Sequence, residues 1–143
     1  MRDWRASEGR LARGVTLWLA ERPFRRGDVP AVRRFARAFG GRAGIGPARL
    51  GDFVLAVSEA AACATAAGPC TARVRLWMTG TRAYCEVRGD GRLLRRSAAG
   101  STLAGRAGEE EALRRWLLRR LADHVSLASG PDGAWVLLSM RVA

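Results

Sequence analysis

A two-layer α+β sandwich, with helices on one face of a mixed, mostly antiparallel sheet, is the fold this 143-residue chain predicts. Three observations predict it. Apolar residues make up 48% of the chain, enough at this length for one buried core. Apolar positions recur at helical spacing in three segments and alternate with period two in others. The resulting order is strand, helix, helix, two strands, long loop, helix, two strands, and helices so placed can all stack on one side of a sheet.

Residues 1–13 are polar and read as a flexible N-terminus ahead of a single domain at 14–143. Val15–Ala20 is β-branched and aromatic, a first or edge strand that Pro23 and Gly27 should break. Asp28 can cap a helix whose core positions are Val32, Phe35, Ala36 and Phe39, closed by Gly40, Gly41, Gly44, Gly46 and Pro47. A longer helix from about Ala48 to Ala67 carries Leu50, Phe53, Val54, Val57, Ala60, Ala61 and Ala64 as its apolar stripe and stops at Gly68-Pro69. Ala72–Met78 and Ala83–Val87 are the next strands, joined through Thr79-Gly80-Thr81-Arg82. In the first of them Val74, Leu76 and Met78 alternate with Arg73, Arg75 and Trp77, a half-exposed pattern.

Residues 89–108 are rich in Gly, Ser, Ala and Arg and read as a lid-like loop. Glu109-Glu110-Glu111 suits the start of a helix, where the dipole favours negative charge. Leu113, Trp116, Leu117 and Leu121 are that helix's expected buried stripe. Val125–Leu127 and Ala134–Met140 close the fold as a hairpin around Gly130-Pro131-Asp132-Gly133.

The net charge is +12, and every one of the 25 basic residues is arginine. Such a field attracts polyanions and acidic proteins alike. No basic residue lies between Leu50 and Ala72, so the charge is segregated from the central helix. Three cysteines, Cys63, Cys70 and Cys85, form no C-x-x-C pair, and His124 is the sole histidine, so no metal site is predicted. Free thiols point to a reducing, cytoplasmic setting. Val15–Ala20 is too short to span a bilayer and lacks the features of a signal peptide, so no membrane partner is expected.

Leu55-Ala56-Val57-Ser58-Glu59, followed by Cys63-Ala64, resembles the helix "L-A-V-S-E-x-x-x-N-A" of the anti-sigma-factor serine kinases. These belong to the histidine-kinase/Hsp90-like (GHKL) ATPase superfamily. Leu121-Ala122-Asp123-His124-Val125 and Gly130-Pro131-Asp132-Gly133 extend the likeness over roughly residues 14–142. The resemblance implies a Bergerat-type ATP-binding fold with ATP and magnesium as cofactors. It gives Glu59 the catalytic, water-activating role and puts Cys63 where the family keeps its magnesium-binding Asn.

Cys63 is a poor substitute, because magnesium demands hard oxygen ligands. The family's adenine carboxylate opens a "D-x-G-x-G" turn after a strand, where this chain has Gly89-Asp90-Gly91-Arg92-Leu93. Gly89 then holds the adenine position, and Asp90, displaced by one residue, is the nearest carboxylate. The second glycine box, "G-x-G-L-W-L", meets Ala112-Leu113-Arg114-Arg115-Trp116-Leu117, so Ala112 and Arg114 replace both glycines. Glu59, Cys63, Gly89, Asp90, Gly91, Ala112 and Arg114 thus form a vestigial cofactor site.

The expected protein is a regulator acting by protein–protein binding with an impaired or lost ATP site. Its partners, by resemblance, are a sigma factor or an anti-sigma antagonist, and a homodimer is compatible. The alternative is a working ATP-dependent protein serine/threonine kinase with a rearranged site, in which Asp90 takes the adenine contact. If the pocket itself is intact, Cys63→Asn together with Gly89→Asp should restore nucleotide binding. Nucleic acid is not expected: no recognition-helix motif or zinc knuckle is present, and Trp77 beside Arg73 and Arg75 is the one suggestive cluster.

Overall fold

The computed structural model describes residues 5–11, 15–66, 71–90, 106–130 and 133–142. In chain order these form β1 (Arg5–Leu11), β2 (Val15–Arg25), α1 (Val29–Ala43), α2 (Pro47–Ala64), β3 (Thr71–Thr79), β4 (Arg82–Gly89), α3 (Arg106–Leu121), β5 (His124–Gly130) and β6 (Gly133–Arg141). The strands make one six-stranded sheet in the order β1-β2-β3-β4-β6-β5. Every pairing among the described residues is antiparallel, and the α+β sandwich expected from the sequence is the fold observed. Residues 5–11, read from sequence as part of a flexible N-terminus, pair along β2 from Arg5↔Glu21 to Leu11↔Val15.

The burial pattern of β3 alternates as its sequence predicts: Ala72, Val74, Leu76 and Met78 point inward. Register places them beside Ala83, Cys85, Val87 and Gly89 of β4, and those beside Ala134, Val136, Leu138 and Met140 of β6. Among the described residues three helices cover this face, with α2 in the middle. Phe35 and Phe39 of α1 and Phe53 of α2 are fully buried, with the Phe39 and Phe53 rings 6.2 Å apart. Such aromatic pairs add a preferred geometry to the burial of their large apolar area.

Local chemistry explains where the helices begin and end, and where expectation missed. Pro30 and Pro47 occupy first-turn positions, where the absent N–H costs nothing. Asp28 caps α1 through its main-chain carbonyl, which accepts from Ala31 N at 3.0 Å, rather than through its side chain. Helix α1 also runs past Gly40 and Gly41 to end at Gly44, whose φ of 84° is left-handed. Packing overrides propensity at Gly40: a methyl there would run into Leu50, so glycine lets α1 and α2 approach. Strand β2 continues through Pro23 because described pairing on the β1 side ends at Glu21, leaving β3 as the one neighbour.

The largest correction concerns α3. Of its predicted stripe, Leu113 and Trp116 are 62% and 55% exposed, and the fully buried side chain is Leu118. The face turned to α2 holds Glu111, Leu118 and Ala122, with Arg114 and Arg115 half-buried beside them. The stripe has rotated to bring an ion-pair cluster onto α2.

At the far edge, Asp123 accepts from Arg141 N at 2.7 Å and lies 3.5 Å from an Arg82 guanidinium nitrogen. Arg49 of α2 donates through Nη2 to Arg141 O at 2.9 Å, fixing the start of that helix to the end of β6.

Candidate functional site

Of the residues singled out by sequence, Glu59, Cys63, Gly89 and Arg114 lie where the C-terminal half of α2 meets the sheet and α3. Small side chains set the geometry. Ala60, Ala61, Cys63 and Ala64 of α2 are completely buried, and below them Ala72, Gly89 and Ala134 stand side by side across β3, β4 and β6. With so little between them, helix and sheet close to near backbone contact. A methyl added at Gly89 would sit 2.8 Å from the Ala64 carbonyl oxygen, nearer than any real Cβ contact. Gly89 is therefore glycine because α2 rests on it, and a carboxylate at that position has no room.

Asp90 is engaged elsewhere. Its Oδ1 accepts from Thr71 N and its Oδ2 from the Thr71 hydroxyl, each at 2.9 Å, while its own N–H donates to Thr71 O at 3.1 Å. Both carboxylate oxygens are used in closing the β3–β4 end. Gly91 lies outside the described residues.

Glu59 and Cys63 do lie one turn apart on α2, and α3 covers both. Arg114 Nε is 3.7 Å from Glu59 Oε2, and its Nη1 is 4.0 Å from Glu111 Oε2. Arg115 Nε is 3.6 Å from Glu111 Oε1. Glu111 is 4% exposed, and two guanidinium ions compensate a carboxylate that could not otherwise be taken out of water. Glu59 thus has Arg114 as its ion-pair partner. Arg114 at a former glycine position bridges two carboxylates, while Ala112 at the other is exposed and touches neither.

Sequence reasoning missed Glu111, reading it only as a dipole-favoured residue. Its spacing to Arg114 and Arg115 carried the signal, since residues three and four apart on a helix are neighbours. Ser58 is also buried and accepts from Arg33 Nε at 2.9 Å, a tie between α2 and α1 rather than a nucleophile.

Cys63 and Cys85 are free, buried thiols. Burial, with the Glu111 carboxylate second, pushes the Cys63 thiol up; burial, with Glu86 second, does the same to Cys85. Cys70 lies outside the described residues, so its approach to Cys63 is not defined. In a Cys70→Ser background neither remaining thiol should react with Ellman's reagent until the chain unfolds. Below the ordinary thiol value of 9.0 both states keep their protons. Above it the unfolded chain ionises while the fold does not, so stability should fall as pH rises past 9.0, which urea midpoints across that range would reveal.

Among the described residues, no group of three or more His, Cys, Asp or Glu side chains could hold a metal ion, and no helix is long and apolar enough to cross a membrane. A shallow depression of about 260 Å³ beside this region is lined by Arg26, Gly27, Val29, Thr65, Glu110 and Arg114, among others.

Comparison with known proteins gives a family. No curated protein matches. A solved serine/threonine phosphatase from S. agalactiae aligns over 99% of this chain and 93% of its own at 10% identity, with a TM-score of 0.22, too low to carry any argument. Residues 23–140 match the model of the histidine kinase-like ATPase domain, and they run from the end of β2 to β6 with the three described helices. The chain belongs to the family of histidine kinase-like ATPase domains.

Proposed function

We propose that this domain is a regulator that works by binding another protein, its nucleotide site lost. The observation that carries the reading is the seat of α2 on β4, where the Ala64 carbonyl occupies the space a residue-89 carboxylate would need. Two further features support it. The Asn position on α2 holds a buried thiol, a soft group that does not replace an oxygen ligand for magnesium. Arg114 and Glu111 of α3 lie against Glu59 and Cys63. These residues do not fit a magnesium-bound triphosphate, and no phosphoryl-transfer step is assigned to them.

Resemblance to the anti-sigma-factor serine kinases suggests the partner, a sigma factor or an antagonist of one. Exposed Arg34 and Arg37 of α1 and Arg119 and Arg120 of α3 favour an acidic protein by electrostatic steering. A partner held this way needs no nucleotide. Tagged protein should therefore capture the same partner from its native cell extract whether the extract holds Mg·ATP or has been cleared of it with apyrase. Capture that requires ATP, or transfer of labelled γ-phosphate to the captured protein, would overturn the reading in favour of a working kinase.

A further inference from the structure

We infer that the open face of the sheet, from β2 to β6, binds single-stranded nucleic acid. All three helices pack on the opposite face, and among the described residues nothing covers this one. Trp77 and Tyr84 sit opposite each other on β3 and β4 with their rings 5.2 Å apart and within 4° of parallel. The Arg75 guanidinium lies 5.8 Å from the Trp77 ring centroid. The sequence showed Trp77 with two arginines; register adds Tyr84, Arg88 and Trp135 to the same surface.

A second, independent feature is the pairing of Arg73 directly opposite Arg88. Like charges so placed destabilise a sheet. Glu21, 3.6 Å from Arg73, and Glu86, 3.2 Å from Arg88, relieve this in part. Together with Arg75 these four residues line a depression of about 420 Å³. An anion seated between the two arginines would resolve their repulsion, and a phosphodiester suits guanidinium geometry.

Trp77 lies four positions beyond Arg73 along β3, roughly 14 Å of strand. One nucleotide does not reach from the arginine pair to the aromatic pair, so the ligand is a strand of several. Trp77 and Tyr84 already stack on each other, so unpaired bases would continue that stack from the outer faces and edges of the pair, which a duplex would leave unused. An acidic peptide satisfies the arginines but offers nothing planar to the aromatics. A second copy of this chain would oppose one cationic face with another, on a protein of net charge +12.

Anisotropy of fluorescein-labelled 12-mers of thymidylate and uridylate, titrated with the full chain, tests the assignment. Single strands should bind, more tightly than a duplex of equal length, with affinity falling as salt rises. Trp77→Ala with Tyr84→Ala should weaken binding at least about tenfold. These side chains are half-buried, so a second variant carries equal weight. Arg73→Gln, Arg75→Gln and Arg88→Gln together should weaken binding at least as much and flatten the salt dependence. The matched control is Arg34→Gln, Arg37→Gln and Arg119→Gln, which removes the same charge from the helical side and should cost far less. Equal losses from both triple variants would mean general electrostatics and overturn the inference, as would absence of wild-type binding. Polyglutamate that competes equally well for this face would assign it to an acidic protein instead.

Discussion

Gly89→Asp, the substitution that would return the family's adenine carboxylate, is expected to cripple the fold and not to restore nucleotide binding. The new Cβ would meet the Ala64 carbonyl at 2.8 Å, and the carboxylate beyond it would be buried against an acceptor. Overpacking of a tight core costs about 1–3 kcal/mol, and a buried polar group without a partner costs a similar amount. A loss of about 3–5 kcal/mol follows, large against the 5–15 kcal/mol total typical of a domain. Urea titration should show the midpoint falling sharply while the slope keeps its value. Cys63→Asn added to it should leave calorimetric titration with Mg·ATP silent, contrary to what an intact but unfurnished pocket predicts.

Glu111→Lys should have the second large effect. It places a third cation beside Arg114 and Arg115 at a site only 4% exposed, and strips Glu111 from two ion pairs of 3.6 and 4.0 Å. Breaking a buried pair from one side costs about 3–5 kcal/mol. For a domain of this size that lowers Tm by roughly 10 °C. Because α3 covers Cys63, its release should also expose that thiol. In the Cys70→Ser background, Glu111→Lys should make one thiol titratable under native conditions while Cys85, beneath the sheet's helices, stays silent. A Tm within 2 °C or so of wild type would show that the cluster is not what holds α3.

Much of the fold could be read from residue order, because each element carried its own period. Val74, Leu76 and Met78 alternate with Arg73, Arg75 and Trp77, and the sheet buries the first set. Val32, Phe35, Ala36 and Phe39 recur at helical spacing, and α1 buries all four. Periodicity failed on α3, where two stripes compete. Leu113, Trp116, Leu117 and Leu121 are the more apolar, yet of these only Leu121 packs against the core, while Glu111 and Leu118 are the buried residues. What decides it is Glu59 across the gap on α2, a tertiary partner that no local pattern reports.

Site residues divided in the same way. The Glu59–Cys63 adjacency follows from helix geometry alone, and α2 delivers it. Asp90 could not be placed from its neighbours in sequence, because Thr71, on the adjacent strand, claims both its oxygens. Gly89 invited the opposite error. Its lack of a side chain read as a missing carboxylate, whereas the cause is the Ala64 carbonyl resting on it. A gap in a motif and a contact in a core look alike until the helix above is located.

Isothermal titration of this chain with ATP, in the presence and absence of magnesium, tests the closed site most directly. No heat beyond dilution, and no change in Tm at millimolar Mg·ATP, is the predicted result. Saturable, magnesium-dependent binding at micromolar Kd would contradict it, since α2 and α3 would then have to part to admit the ligand.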